Sequence, residues 1–510
     1  MQPLSRRTFI KSSACATMGF PFLGKGWLTL TAAEVPGHFE REFGITDAVC
    51  RRILAEALSK GGDFSELFFE HTISNSLTLE DGKVNRASSQ ADLGVGIRTV
   101  AGEQVGYAFT QELTERSMLN AAATAATIAS SGAVAPEGEF RQIALEDAYP
   151  LDRPYTAVPL EEKLPLVQAV NDLAFARSPL VVKVTVQYQD QQRRIMVVTS
   201  DGVKVEDLQP RTHIWAMTVG EKDGQRQQAS WGQGGRESLS FYTSTVLEEV
   251  AHGAVDRALV LFDAVQPPAG QMPVVFGPGV TGVLLHEAIG HGLEADFNRR
   301  GESTYATMIG RKVAEPFVTI IDNGTNPGML GSINVDDEGT PGQKTVLVEE
   351  GILIGYLHDR ISARHYGVSP TGNGRRQSYQ HFPLPRMRNT YMLAGQAAPE
   401  DLIREAGRGL YVEDVSSGQV KIGEGDFAFY VSQGRLMEDG KLTAPIRDVN
   451  IMGNGPRMLA DITMMGHDLE MARGGPGACG KGGQSVPVGL GQPSALVRSL
   501  TVGGVTRPAS

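Results

Sequence analysis

The chain has little cysteine: three in 510 residues, at Cys15, Cys50 and Cys479. Three thiols cannot build the disulfide framework of a small secreted scaffold, so stability must come from packed core. A permanent membrane span is also missing. The weakly apolar stretch from Ala14 to Leu30 is interrupted by Pro21, Lys25 and several glycines. Excess positive charge is absent too: 47 Lys and Arg stand against 58 Asp and Glu, a formal net charge of −11. That balance excludes nucleic acid as a partner. The chain has no repeat at a solenoid or propeller period. Its glycine spacing matches neither a P-loop nor a dinucleotide fingerprint, which removes support for nucleotide binding.

What the chain has in quantity is turn formers, with 60 glycines and 27 prolines. These favour a β-rich or α+β fold, and the length allows two or three domains with ample core. The N-terminus reads as an export signal. Ser5-Arg6-Arg7-Thr8-Phe9-Ile10-Lys11 is a twin-arginine pattern, followed by the weakly apolar stretch and a small-residue exit at Thr31-Ala32-Ala33. Ser12-Ser13-Ala14 lacks the apolar residue three before Cys15 that a lipoprotein signal carries. The expectation is a soluble protein exported folded to the periplasm or another extracytoplasmic space, with residues 1–33 as signal.

Residues 34–265 read as one α+β domain with a largely antiparallel sheet. Helices are predicted near Thr46–Lys60, Leu113–Ser130, Pro159–Arg177 and Ser244–Leu261. Strands are predicted through Glu66–Val100, joined at Asp81-Gly82, then at Leu180–Tyr188, Arg194–Thr199 and Arg211–Val219. Gln266-Pro267-Pro268-Ala269-Gly270 is the linker. Residues 270–510 form a second, β-rich domain. A buried strand at Met272–Phe276 leads into a helix from Gly279 to about Phe297. Short strands follow at Phe317–Ile321, Thr345–Val348, Gly351–Leu357 and Phe427–Val431.

The predicted helix carries the chemistry, in the cluster His286-Glu287-x-x-x-His291. Two imidazoles can hold a metal and the carboxylate can deprotonate a metal-bound water. The more familiar metalloprotease helix spaces its histidines four apart, about 40° around the axis, whereas five apart gives about 140°. A regular helix cannot aim both rings at one ion. The helix is therefore predicted to widen at Gly290, for example by a one-residue π-bulge, where Gly290 and Gly292 bracket His291. The bland alternative is one buried and one surface histidine. Cys479, in the glycine-rich stretch Gly477–Gln484, is a candidate third ligand that leaves a fourth zinc position open for water. Cys50 reads as a small buried hydrophobe, and a Cys50–Cys479 disulfide is a competing fate for that ligand.

Several blocks together carry a family resemblance. They are His286 to Asp296, Asp336-Asp337-Glu338-Gly339-Thr340-Pro341, Thr371 to Arg376, Pro385-Arg386-Met387 with Asn389-Thr390, and Cys479-Gly480-Lys481 with Gln484 to Gly489. A looser match runs through Gly94-Val95-Gly96-Ile97-Arg98. In these the chain resembles the TldD/PmbA family, and within it the TldD-type catalytic member. The resemblance implies a two-domain α+β fold and a zinc peptidase acting on unfolded or flexible peptides. It also implies a dimer, paired in catalytic members with a PmbA-type sister subunit that lacks the metal motif. Carried across, His286, His291 and Cys479 are the zinc ligands and Glu287 the general base.

Around that centre, Glu294 and Asp296 either hydrogen-bond the histidines' distal nitrogens or sit as solvated helix-end acids. Arg375, Arg376 and Arg386 either grip a peptide carboxylate or lock loops by pairing with Asp336, Asp337 and Glu338. His358, His365 and His381 lack close-spaced ligand partners and read as structural or exposed. The leading reading is a zinc-dependent peptidase in which Glu287 is general base for a zinc-bound water. Its rival is a non-catalytic peptide-binding or assembly subunit with a structural zinc, and zinc hydrolysis of a non-peptide amide is a third reading.

Overall fold

Thr46 starts the first long helix by accepting the N–H of Val49 on its side-chain oxygen (3.4 Å). The computed structural model describes residues 37–129, 132–421, 424–474 and 477–504. The predicted export signal, with Arg6, Arg7 and Cys15, lies outside the described residues. No helix among those described is long and apolar enough to cross a membrane.

The fold is α+β. Its N-terminal half begins with helices α1 (His38–Phe43) and α2 (Asp47–Ala57), then strands β1 (Phe64–Glu80), β2 (Lys83–Ala101) and β3 (Gln104–Thr110). Helix α3 (Glu115–Ala125), the two-residue strand β4 (Arg141–Gln142) and helix α4 (Leu160–Arg177) follow. Strands β5 (Val181–Thr199), β6 (Val203–Lys222) and β7 (Gln225–Gly235) and helix α5 (Ser244–Leu259) complete it. The strands make one sheet in the order β3-β2-β1-β5-β6-β4, with β7 also on β6. Every pairing is antiparallel except β4 with β6. Asp81 and Gly82 both have positive φ (47° and 77°), the geometry of the tight turn that joins β1 to β2.

The two runs expected at Leu180–Tyr188 and Arg194–Thr199 are one strand. The polar residues between them, Gln189 to Arg193, pair with β1 on one side and β6 on the other. Backbone pairing on both edges overrides the polar side chains. Residues 67 to 69 are all buried because both sheet faces are covered. Leu67 and Phe69 pack under α2 and α3, while Phe68 points the other way, to Val335 and Tyr379 of the C-terminal half.

The C-terminal half is β-rich. Strand β8 (Gly270–Phe276) lies inside a seven-stranded sheet, between Gly409–Lys421 and Ala495–Gly504. A six-stranded sheet holds Ile320–Asn323 between Lys344–Glu349 and Asn389–Met392, with Gly489–Gln492 next. The strand expected at Phe317–Ile321 starts only at Ile320, and that at Gly351–Leu357 is reduced to Ile352–Leu353 plus a single bridge from Leu357 to Glu294. The apolar residues left over, Val318 and Leu357, are buried in loops instead.

The two halves meet through buried charge. Arg98 Nη2 lies 2.7 Å from Glu66 Oε2 and 2.6 Å from Glu338 Oε1, and Arg376 bonds the other oxygen of Glu66. All four side chains have no solvent exposure, and their charges cancel. Arg193 adds weaker links to Glu70 (3.4 Å) and Asp337 (3.3 Å). Tyr379 plugs the same seam. Its carbonyl accepts from the Tyr107 hydroxyl (2.6 Å), and its own hydroxyl donates to Asp92 (3.0 Å). A side chain at Gly94 or Gly96 would collide with Tyr379, which explains that glycine pair. Removing one member of a buried pair strands the other's charge. Arg98→Ala is expected to lower the unfolding free energy by about 3–5 kcal/mol in a denaturant titration. A loss below about 1 kcal/mol would mean the network is dispensable.

Candidate metal centre

The segment Gly279–Phe297 is not the single helix expected from its pattern. A helical turn at Val283–Leu285 passes into a π-turn at His286–Gly290, where the His291 N–H donates to the His286 carbonyl five residues back. That wider turn brings residues five apart towards one side. The segment then breaks at Glu294, whose backbone is extended (φ −69°, ψ 124°) and bridges Leu357, before a short helix at Ala295–Arg299. Gly290 is a steric requirement: a Cβ there would run into Met387 Sδ. Leu284, Leu285, Ala288, Ile289 and Leu293 anchor the segment in the main C-terminal core.

Cys479 arrives on a two-stranded hairpin, Ala478–Lys481 with Gln484–Pro487, and not on a bare loop. Gly482 and Gly483 take positive φ (57° and 75°) at its turn. Alternation along a strand puts Cys479 and Lys481 on one side and exposes Gly480 between them. One ligating atom each from His286, His291 and Cys479 lies within 4.8 Å of the other two, and all three residues are buried. Cys479 Sγ is 3.4 Å from His291 Nε2. Cys479 and Cys50 are both free. Cys50 lies in the separate core under α2, where burial pushes its thiol up to about 12.

Glu294 orients the centre. Its Oε2 is 3.0 Å from His291 Nδ1, a contact that fixes the ring with Nε2 facing Cys479. Against burial, the carboxylate and the thiol together hold the imidazole well above its ordinary range. Lys481 Nζ lies 3.0 Å from Glu294 and 2.6 Å from Asp296. Burial alone would raise the Glu294 carboxyl. Lys481, His291 and Arg386 outweigh it and hold that group at about 2. Asp296 therefore serves Lys481 and bonds neither histidine. At Cys479 burial again opposes ionisation, but the charges and hydrogen bonds of His286 and His291 hold its thiol well below the ordinary range.

Glu287 sits at the edge of this cluster, about a quarter exposed, with Oε2 3.8 Å from His291 Nε2. With His286 it lines a small cavity of about 100 Å³, walled by Val283, Phe429, Val488 and Leu490. The donor set of two imidazoles and a readily ionised sulfur suits a zinc-like ion. His286 Nδ1 is buried with no hydrogen-bond partner, as befits a group whose complement is not protein. The residues present therefore fit a metal.

The three arginines singled out in the sequence are locked in the framework. Arg375 Nη1 donates to the Met387 carbonyl (2.6 Å), Arg376 pairs with Glu66, and Arg386 donates to the Cys479 carbonyl. Their acid neighbours bind elsewhere: Glu338 to Arg98, Asp337 to Arg193 and to the Arg376 backbone N–H, and Asp336 to backbone amides. His358 is buried beside Tyr356 and Tyr366, His365 is exposed against Glu103, and His381 meets Ser378. Lys481 and its grip on Glu294 were not assigned a role from sequence. Its two-residue spacing from Cys479 was the available signal.

Three family descriptions match the chain in order: PmbA/TldA metallopeptidase domain 1 over residues 65–129, the central domain over 153–262 and the C-terminal domain over 269–504. These matches define the class as a family of metallopeptidases. The chain belongs to the PmbA/TldD family. It is 40% identical over 449 residues to a protein named Metalloprotease TldD homolog from Haemophilus influenzae, covering 87% of this chain and 93% of that one. Two crystal structures share its fold. One, described as a modulator of a DNA gyrase from Thermotoga maritima, has a TM-score of 0.71 at 24% identity and covers 86% of this chain and 96% of its own. The other, TldE from Thermococcus kodakarensis, has a TM-score of 0.69 at 18% identity, covering 89% and 100%.

Gly290→Ala is expected to force the π-turn away from Met387 and separate the two histidines. Elemental analysis should find its metal content well below that of the unaltered protein, with a stability loss of about 1–3 kcal/mol from overpacking. Full metal occupancy in the variant would refute the steric argument.

Proposed function

We propose that the chain is a zinc-dependent peptidase that hydrolyses unfolded or flexible peptides, with His286, His291 and Cys479 as ligands and Glu287 as general base. One observation carries the reading. Three protein donors converge and, among the described residues, no fourth His, Cys, Asp or Glu joins them, while a carboxylate stands at the rim. A purely structural site closes with four protein ligands and has no use for a base.

A divalent ion held there supplies Lewis acidity towards water and a peptide carbonyl. The chain's own groups do the rest. Glu294 holds the His291 ring by its Nδ1, which leaves Nε2 as the atom presented to the ion, and Lys481 keeps Glu294 ionised. Glu287 takes a proton from the attacking water and returns it to the leaving amine. The apolar walls at Val283, Phe429, Val488 and Leu490 limit bulk water. A cavity of about 100 Å³ beside Glu287 is far too small for a folded domain, which favours flexible peptides as substrates.

The proposal extends to the setting. Arg6-Arg7 and the stretch after it support export by the twin-arginine route to the periplasm. Family membership supports a dimer, with a second copy or a PmbA-type sister subunit.

Glu287→Gln is expected to cut peptide turnover by about 10²–10⁴-fold while retaining metal, as read by mass-spectrometric peptide assay and elemental analysis. Cys479→Ala and chelation should each abolish turnover by removing the metal. Turnover that survives Glu287→Gln at the original rate would sink the assignment of the base.

A further inference from the structure

The cavity at Glu287 adjoins two larger ones through shared walls, an arrangement we read as one channel. It shares Gly477, Ala478, Val488 and Leu490 with a second cavity of about 480 Å³. The second shares Ser74, Gln90, Gln191 and Arg211 with a third of about 770 Å³. The third lies at the seam between the N-terminal sheet and the C-terminal loops, and it is rich in charge.

Nearly all of that charge is spoken for. Of the carboxylates, Glu70 and Asp337 meet Arg193, Asp92 accepts from the Tyr379 hydroxyl, and Asp336 accepts backbone N–H groups of Glu338, Thr340 and Gly374. Of the cations, Arg236 donates to the Leu330 and Pro210 carbonyls, Arg375 to that of Met387, and Arg376 to Glu66. Arg211 is different. It sits on β6 opposite Gln191 of β5, where the second and third cavities join. Among the described residues it has no hydrogen-bond or ion-pair partner. It is exposed and lines both cavities, with protein atoms crowded around its guanidinium. Burial, then Arg236 and Arg193, push its guanidinium down to about 10, so no nearby carboxylate compensates it. A guanidinium in that position presents its fork of donors to whatever enters, and a carboxylate matches that fork.

We propose that Arg211 anchors a carboxylate subsite of this channel, which takes the C-terminal carboxylate or an acidic side chain of a peptide whose backbone reaches the metal centre. The subsite rests on the peptidase reading for its purpose and not for its binding. It favours anionic peptides locally although the chain as a whole carries a charge of −11.

One flexible fluorescein-labelled peptide in three forms tests it: free C-terminus, C-terminal amide, and amide with one internal glutamate. Dissociation constants come from fluorescence anisotropy on the metal-free protein, and KM from cleavage by the metal-loaded protein. The free acid is expected to bind about tenfold more tightly than the amide, the value of one charge-assisted contact. Recovery of that tenfold by the internal glutamate would identify a side chain as an accepted source, and no recovery would identify the terminus. Arg211→Gln should collapse the ratio to about one, while Arg211→Lys, which keeps the charge, should retain part of it. Equal affinity for all three forms, or an unchanged ratio in Arg211→Gln, would overturn the subsite. A preserved affinity ratio with no cleavage of any form would overturn the peptidase reading and leave the subsite standing.

Discussion

A single backbone hydrogen bond, from the His291 N–H to the His286 carbonyl, is the constraint around which the C-terminal half is arranged. It closes a turn one residue wider than the ordinary helix, and so allows histidines five apart to approach one point. Everything packed on it accommodates that width. Gly290 gives Met387 its place, and just beyond it the Leu357 N–H donates to the Leu293 carbonyl while the Leu357 carbonyl accepts from the Ala295 N–H. The extended backbone at Glu294 then turns its carboxylate back under His291. A regular helix would have sent one imidazole to the core and the other elsewhere.

The centre is finished from a distance. Cys479 is 188 residues from His291 in sequence, and a hairpin delivers it together with Lys481. Arg386 holds the Cys479 carbonyl and lies 3.9 Å from Glu294, so the thiol and the carboxylate are positioned by one cation between them. The electrostatics are consistent: lysine stabilises the carboxylate, the carboxylate sets the imidazole, and the imidazoles favour the thiolate. The same economy appears at the seam, where Arg98, Arg376, Glu66 and Glu338 bury four charges with no net charge. Such a cluster gains little over apolar packing, but it penalises any misplacement of one half against the other. The channel runs along that seam.

Much of this was legible from residues alone. The helices capped at Thr46 and Thr243, the Asp81-Gly82 hairpin and the buried strand at β8 follow from local signals that tertiary packing did not contradict. The widened turn was legible as well, because histidines five apart with glycine between them admit few geometries. The errors have common causes. The polar middle of β5 hid a continuous strand, since partners on both sides supply its hydrogen bonds. The helix after Gly279 carried apolar periodicity past Glu294, but the bridge to Leu357 ended it. Arg375, Arg376 and Arg386 could be read either as substrate ligands or as loop locks, because sequence shows a charge without its partner, and they are locks, though with partners other than those expected. Arg211, in turn, lies in a polar stretch of β6 where nothing in the sequence marks it as unpaired.

The sequence by itself determined the class of chemistry and the family: which donors are present, the odd spacing of two of them, and the glycines that make that spacing workable. These are local properties, set by side-chain type and by a few residues of backbone. Tertiary structure alone decided which carboxylate serves His291, which cation serves the Cys479 hairpin, and which arginine is left facing the channel. Those are pairings between segments up to 310 residues apart, as for Arg376 and Glu66. Charge interactions depend on separation in space and on burial, and neither quantity is written in the order of the chain.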